Sequence, residues 1–207
     1  MKLPSIEECN ELFEEYKVPG TIREHCKAVH TVAIFLTQEL IKNDYPLDIK
    51  VVEPFSYLHD FMKAVVLENL TDPFYNYHPT KEEVEMHQKL RFKYEGLSET
   101  FVTYLILKEK YPEFAKLFLE LDQLTQNPQA QVREESKFIH YVDWRILSNK
   151  IVSLKERMDY IHQRYGDWMK KKKINWEKTK EEQYAYEQKL FKNLPFLPLQ
   201  LSEKISI

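Results

Sequence analysis

The first clear rhythm of apolar positions falls at Ile6, Cys9, Leu12, Phe13 and Tyr16, three and four residues apart, which is the repeat of one helix face. Ser5 with Glu8 three residues on has the form of a capping box, and Pro19 and Gly20 end the segment. A second run opens with the same signature at Thr21 and Glu24 and carries Ile22, Val29, Val32, Leu36 and Leu40 on one face. His25 falls on that face, whereas His30 lies on its flank with Cys26 and Ala33. Between Asp48 and Leu70 a wide stripe runs through Val51, Val52, Phe55, Leu58, His59, Met62, Val65 and Val66. Pro54 requires either a kink or a helix that starts there, because a mid-helix proline removes a backbone hydrogen bond.

Further helices follow the same logic. Thr80 and Glu83 cap a segment with Val84, His87, Leu90 and Tyr94 on one face, closed by Gly96. Another helix starts near Ser98, Pro112 separates it from "EFAKLFLELDQL", and "TQNPQAQ" is a loop. A long final core helix is predicted from Val132 to Trp168, with Asp143 bracketed by Ile139, Val142 and Ile146. The lysine run Lys170 to Lys173, a charged segment and the apolar "LPFLPLQL" then make a C-terminal extension. The expected organisation is a helical domain over 1–168 and an extension over 169–207, helical and then irregular.

Composition changes this picture little. The 207 residues suffice for one cored domain, and only three glycines against ten prolines favour an all-α fold over sheet architectures. A net charge of −3 gives no field for capturing nucleic acid, so none is expected as a partner. The four lysines near Trp168 and Trp176 read as a solvated helix end rather than an RNA-binding tail. No apolar run reaches the ~18 residues of a membrane span, and no signal peptide is seen. Cys9 and Cys26 lack metal or redox spacing and read as buried free thiols, which fits a cytoplasmic protein. The apolar tail is expected to pack on the bundle or on a second subunit, which leaves a homodimer open.

Chemistry enters through ionisable residues on apolar stripes. His25, His59 with Asp60 beside it, and Asp143 sit on three separate predicted helices. Burying several such groups is costly unless they satisfy one another or share a cation. Neighbours on a helix point about 100° apart, so His59 and Asp60 would meet one ion only near the helix surface.

The order of these residues, with the local contexts "IREHCKAV", "YLHDFMK" and "FIHYVDWRI", resembles the HD-domain metal-dependent phosphohydrolase superfamily over roughly residues 5–165. The resemblance implies an HD-domain-like helical bundle with His25, His59, Asp60 and Asp143 as ligands of a divalent metal ion. Such a donor set suits Mn, Fe, Co, Ni, Zn or Mg rather than a thiolate-preferring metal. It also implies hydrolysis of a small phosphorylated substrate, such as a nucleotide. In that reading Asp60 orients or deprotonates water, Lys63 and Arg23 contact phosphate, and Arg145 and Lys93 stand behind them. His87 is a candidate for the metal's surroundings or a second ion, and His140, three positions before Asp143, for orienting that carboxylate. Phe61 and Met62 replace smaller residues of the usual doublet segment, which predicts a narrowed pocket. The alternative is a non-catalytic HD-like metal-binding domain used for ligand sensing or protein interaction.

Overall fold

The computed structural model describes residues 1–71, 77–171 and 174–205, the Trp168 side chain excepted; Lys172 and Lys173 of the lysine run therefore lie outside the described residues, as does that indole. The protein is all-α. Helices α1 (Ile6–Glu15), α2 (Gly20–Ile41), α3 (Ile49–Leu58), α4 (Lys81–Lys93), α5 (Glu99–Leu107), α6 (Pro112–Gln126) and α7 (Glu134–Asp143) are followed by a short hairpin, β1 (Ile146–Leu147) and β2 (Lys150–Ile151). Then come α8 (Leu154–Lys171), α9 (Trp176–Phe191) and a last short helix, α10 (Leu201–Lys204).

The capping boxes at Ser5–Glu8 and Thr80–Glu83 form as their spacing predicts, each satisfying two backbone N–H groups. The one expected at Thr21–Glu24 does not. α2 begins at Gly20 behind Pro19, and the Tyr77 hydroxyl accepts the Gly20 N–H at 2.8 Å, so a first-turn donor finds its partner outside the helix. Gly96, at φ +80°, supplies the left-handed residue after α4.

Two predicted helices are shorter than their apolar patterns. α3 keeps Pro54 inside it but stops at Leu58, and the chain tightens into a 3-10 turn over Lys63–Val66. The predicted final core helix breaks after Asp143: the hairpin intervenes, with Ile146 opposite Ile151 and Leu147 opposite Lys150, before α8 begins. Apolar spacing persists across both breaks because the residues beyond them remain buried, so periodicity alone reads straight through.

One hydrophobic core runs through the molecule. α2 packs most extensively on α3, and both pack on α7, while α5 lies along α6. Val29, Val32, Leu36, Val52, Phe55, Leu58, Ile139 and Val142 are fully buried where α2, α3 and α7 meet, each such side chain contributing about 1.5–3 kcal/mol by burial. Phe61 and Met62 belong to this core. Phe61 stacks on Phe13 at 6.0 Å and meets Tyr16 edge-on at 5.3 Å, so it fills space under α1, while Met62 is buried in the same core. For Phe61 the expected narrowing of the pocket is corrected accordingly.

The C-terminal extension joins the same core through Leu190, Phe191, Phe196 and Leu201. The apolar tail folds as a 3-10 turn at Pro198–Gln200 followed by α10, so it is not irregular throughout. Arg145, 2% exposed, fastens it: Nη1 meets Glu187 Oε2 at 2.8 Å and the Tyr141 hydroxyl at 2.9 Å, and Nη2 donates to the Pro198 carbonyl at 2.9 Å. No helix among the described residues is long and apolar enough to cross a membrane.

Candidate metal centre

His25 comes from the second turn of α2, His59 from the C-cap of α3, and Asp143 from the last residue of α7. Because these helices pack on one another, residues far apart in sequence meet: one ligand-capable atom of each lies within 4.8 Å of the other two. His25 Nε2 stands 2.9 Å from Asp143 Oδ1 and 3.3 Å from His59 Nε2, and His59 Nε2 is 3.7 Å from the same Asp143 oxygen. Asp60 sits at the rim, with Oδ2 3.9 Å from His25 Nε2.

The early end of α3 sets how the doublet is presented. Within a continuous helix His59 and Asp60 would diverge, but here His59 closes the helix and Asp60 occupies the following turn. Ser56, in the last turn of α3, has a carbonyl that accepts the His59 Nδ1–H at 2.8 Å. His25 is anchored in the same way: its Nδ1–H donates to the Ser148 carbonyl at 2.7 Å. Ser148 is the first residue of the two-residue hairpin turn and has φ +60°, a backbone conformation costly for a side-chain-bearing residue. That strained turn aims the carbonyl at α2.

A carbonyl can only accept, so both rings carry a proton on Nδ1 and point Nε2 at the centre. Two imidazole lone pairs facing each other 3.3 Å apart, with a carboxylate oxygen 2.9 Å from one of them, repel unless a positive charge, a metal ion or a proton, lies among them. Without an ion, the surrounding anionic groups push His59 well above its ordinary value despite its burial. The spacing also fits a metal. Ligands about 2.1 Å from one ion are separated by about 3.0 Å at right angles and about 3.4 Å at the tetrahedral angle, close to the observed 2.9, 3.3 and 3.7 Å. Fixing the second ring nitrogen on a carbonyl is the arrangement that orients metal-ligating histidines. The residues therefore fit a divalent ion.

The electrostatics agree. Burial disfavours the charged form of Asp143, but the neighbouring His25 and His59 rings and the charge of Arg157 outweigh it and hold the carboxyl well below the usual range. Asp60 is lowered too, its burial offset first by Lys63 and then by His59. Both carboxylates are thus anionic at neutral pH. Lys63 is pushed upward because Asp60 and Glu99 outweigh its burial; its Nζ lies 2.9 Å from Glu99 Oε1 and 3.7 Å from Asp60 Oδ1.

Other sequence candidates are placed elsewhere. Arg23 binds the end of α1, donating from Nε to the Val18 carbonyl at 2.6 Å and from Nη2 to the Phe13 carbonyl at 2.8 Å, with Nη1 on Glu14. Its expected phosphate contact is corrected to a structural tie. Arg145 is the tail clamp described above, and exposed Lys93 lies over the Tyr94 ring at 4.9 Å. His87 is buried against the Leu67 carbonyl, Nε2 to O 3.0 Å, as a core histidine. His140 turns toward α9, where Gln183 Nε2 donates to its Nδ1 at 2.9 Å and Trp144 packs on its ring; its proposed role in orienting Asp143 falls to His25 and His59. Cys9 and Cys26 are free and buried, and burial pushes the Cys9 thiol up to about 12.

Three contributors escape the sequence reading: the Ser148 carbonyl, Glu99 and Arg157. Arg157 does leave a signal, since it lies on the inward stripe of α8 beside Leu154, Met158 and Ile161. An arginine at helical spacing among core residues is as informative as the histidine on α2.

No family model, no curated protein and no solved structure matches the chain.

Proposed function

We propose that the protein is an HD-type, divalent-metal-dependent phosphohydrolase that cleaves a phosphomonoester of a small metabolite, such as a nucleotide, to inorganic phosphate and the free alcohol. The observation that carries this reading is the pair of imidazoles, each held at Nδ1 by a backbone carbonyl, whose Nε2 atoms converge with Asp143 on one point.

His25, His59 and Asp143 would hold the ion, with Asp60 completing the set from the rim. A divalent ion bound there supplies Lewis acidity and an acidified water for attack on phosphorus. Asp60 is suited to orient that water or take its proton, because its two oxygens serve different neighbours: Oδ2 faces His25 and Oδ1 faces Lys63. Lys63 keeps Asp60 ionised and fixed, and Glu99 in turn fixes Lys63. Asp143 and Asp60, with side chains 25% and 21% exposed, both reach solvent, which a substrate's approach requires.

The test is turnover. The full chain reconstituted with Mn, Co, Ni, Fe, Zn or Mg is assayed for phosphate release from a panel of nucleoside monophosphates, sugar phosphates and p-nitrophenyl phosphate. Release in the wild type that falls at least about 100-fold in Asp60→Ala is expected. A metal-loaded wild type with no turnover across the panel contradicts the enzymatic reading and favours the ligand-sensing one.

A further inference from the structure

Arg157 enters the centre from α8, a helix that supplies none of the four ligands. Its side chain is 15% exposed, and its Nη2 stops 3.6 Å from Asp143 Oδ1, beyond hydrogen-bond length. Its Nε is buried without a hydrogen-bond partner. The Tyr160 ring, 5.6 Å from the guanidinium carbon and one turn along α8, supports it from the side.

The neighbouring cations are used differently. Lys63 is neutralised by Glu99 and Asp60, and Arg23 and Arg145 are spent on backbone and carboxylate partners away from the centre. A guanidinium has five N–H donors, and leaving a buried one unmade costs about 1–3 kcal/mol. Thr37 Oγ1, the Tyr111 hydroxyl and Gln183 Oε1 are also buried without a partner, but among these atoms Arg157 Nε is the cationic donor and belongs to the side chain beside Asp143, where a ligand can complete the bonding. The ligand must be an acceptor-rich anion, because the group is a planar cationic donor beside a metal-type centre.

We propose that Arg157 is the receptor for the phosphoryl group of the substrate, gripping its terminal oxygens while the four ligands hold the ion. The proposal rests on the metal-centre reading above. It assigns the substrate class by its dianionic phosphoryl end, a group that offers the guanidinium two coplanar oxygens, whereas a phosphodiester offers less charge. It also gives α8 a role in the site that the four-residue ligand pattern omits.

Inorganic phosphate is the probe. Titration calorimetry on the full-length, Mn-reconstituted protein compares wild type with Arg157→Met and Arg157→Gln, with metal content by elemental analysis and thermal unfolding recorded for each. The expected result is phosphate binding by wild type, weakened at least about tenfold in the variants, with metal content unchanged. Wild-type phosphate affinity in a folded, metal-loaded variant overturns the proposal. So does a metal-loaded wild type that binds no phosphate, or loss of metal from both variants, which would make Arg157 a support for Asp143. A wild type that takes up no metal is a different failure: it removes the metal centre itself, and this inference with it.

Discussion

Asp143 Oδ1 lies 2.9 Å from His25 Nε2, a contact that joins the end of α7 to the start of α2 across 118 positions of sequence. The same oxygen is 3.7 Å from His59 Nε2 and 3.6 Å from Arg157 Nη2, so one carboxylate faces two imidazoles and a guanidinium. Asp143→Asn keeps the shape and removes the charge. It is expected to lower metal affinity at least about tenfold while the helical circular-dichroism spectrum stays that of wild type. Unchanged affinity in a metal titration would remove Asp143 from the centre.

Arg145 and Arg23 are predicted to be structural. Arg145→Ala leaves the largely buried Glu187 carboxylate without its cation, held only by the Tyr141 hydroxyl, and frees the Pro198 carbonyl, which should cost about 3–5 kcal/mol in urea unfolding. Arg23→Ala removes the donors that bind the end of α1 and should cost about 1–3 kcal/mol. For both variants, metal bound per folded chain equals wild type. A stable Arg23→Ala protein with impaired phosphate binding would return Arg23 to the site.

Glu99 should act through Lys63. Glu99→Gln removes the shorter of the two ion pairs of Lys63 and leaves that ammonium nearer to Asp60. The expected outcome is a kcat lowered several-fold with the bound metal retained, measured on the best substrate of the panel. Equal kcat in wild type and Glu99→Gln would show that the Lys63 position does not depend on this pair.

His140 predicts a pH effect on stability. Burial pushes its pKa down to about 4, against the pull of the Asp143 charge. The unfolded chain, with its imidazole near the ordinary ~6.5, binds a proton that the folded state refuses between those values. Stability from this group is therefore full above pH ~6.5 and is lost as pH falls toward 4. Carboxylates such as Asp143 lose stability in acid as well, so the comparison is with His140→Gln, which retains an acceptor for Gln183. Urea midpoints between pH 7 and 4 should fall less steeply in His140→Gln. Parallel slopes in the two proteins would contradict a neutral, buried His140.

Much of this was legible from residue spacing. The helices, the shared placement of His25, His59 and Asp143 on core-facing positions, and the burial of both cysteines follow from apolar periodicity and two of three capping boxes. The ends of α3 and α7 were not legible, since residues beyond them stay apolar and buried and periodicity reports burial before it reports helix. Those ends matter most for the chemistry. The stop at Leu58 allows Asp60 to turn toward the centre, and the break after Asp143 makes the hairpin whose Ser148 carbonyl holds His25. The parts played by two arginines were not legible for a related reason. Arg23 and Arg157 each lie near a candidate ligand in sequence or in space, but their surroundings sit on other elements, and only the packing shows that Arg23 is occupied while Arg157 keeps a buried donor unpartnered.

Elemental analysis of the purified full-length chain, before and after reconstitution with a divalent metal, tests the centre most directly when wild type is compared with His59→Ala. The account predicts at least one tightly held divalent ion per wild-type chain and its loss from His59→Ala with the fold retained. A wild-type chain that holds no ion after reconstitution, or a His59→Ala chain that holds as much as wild type, would contradict it.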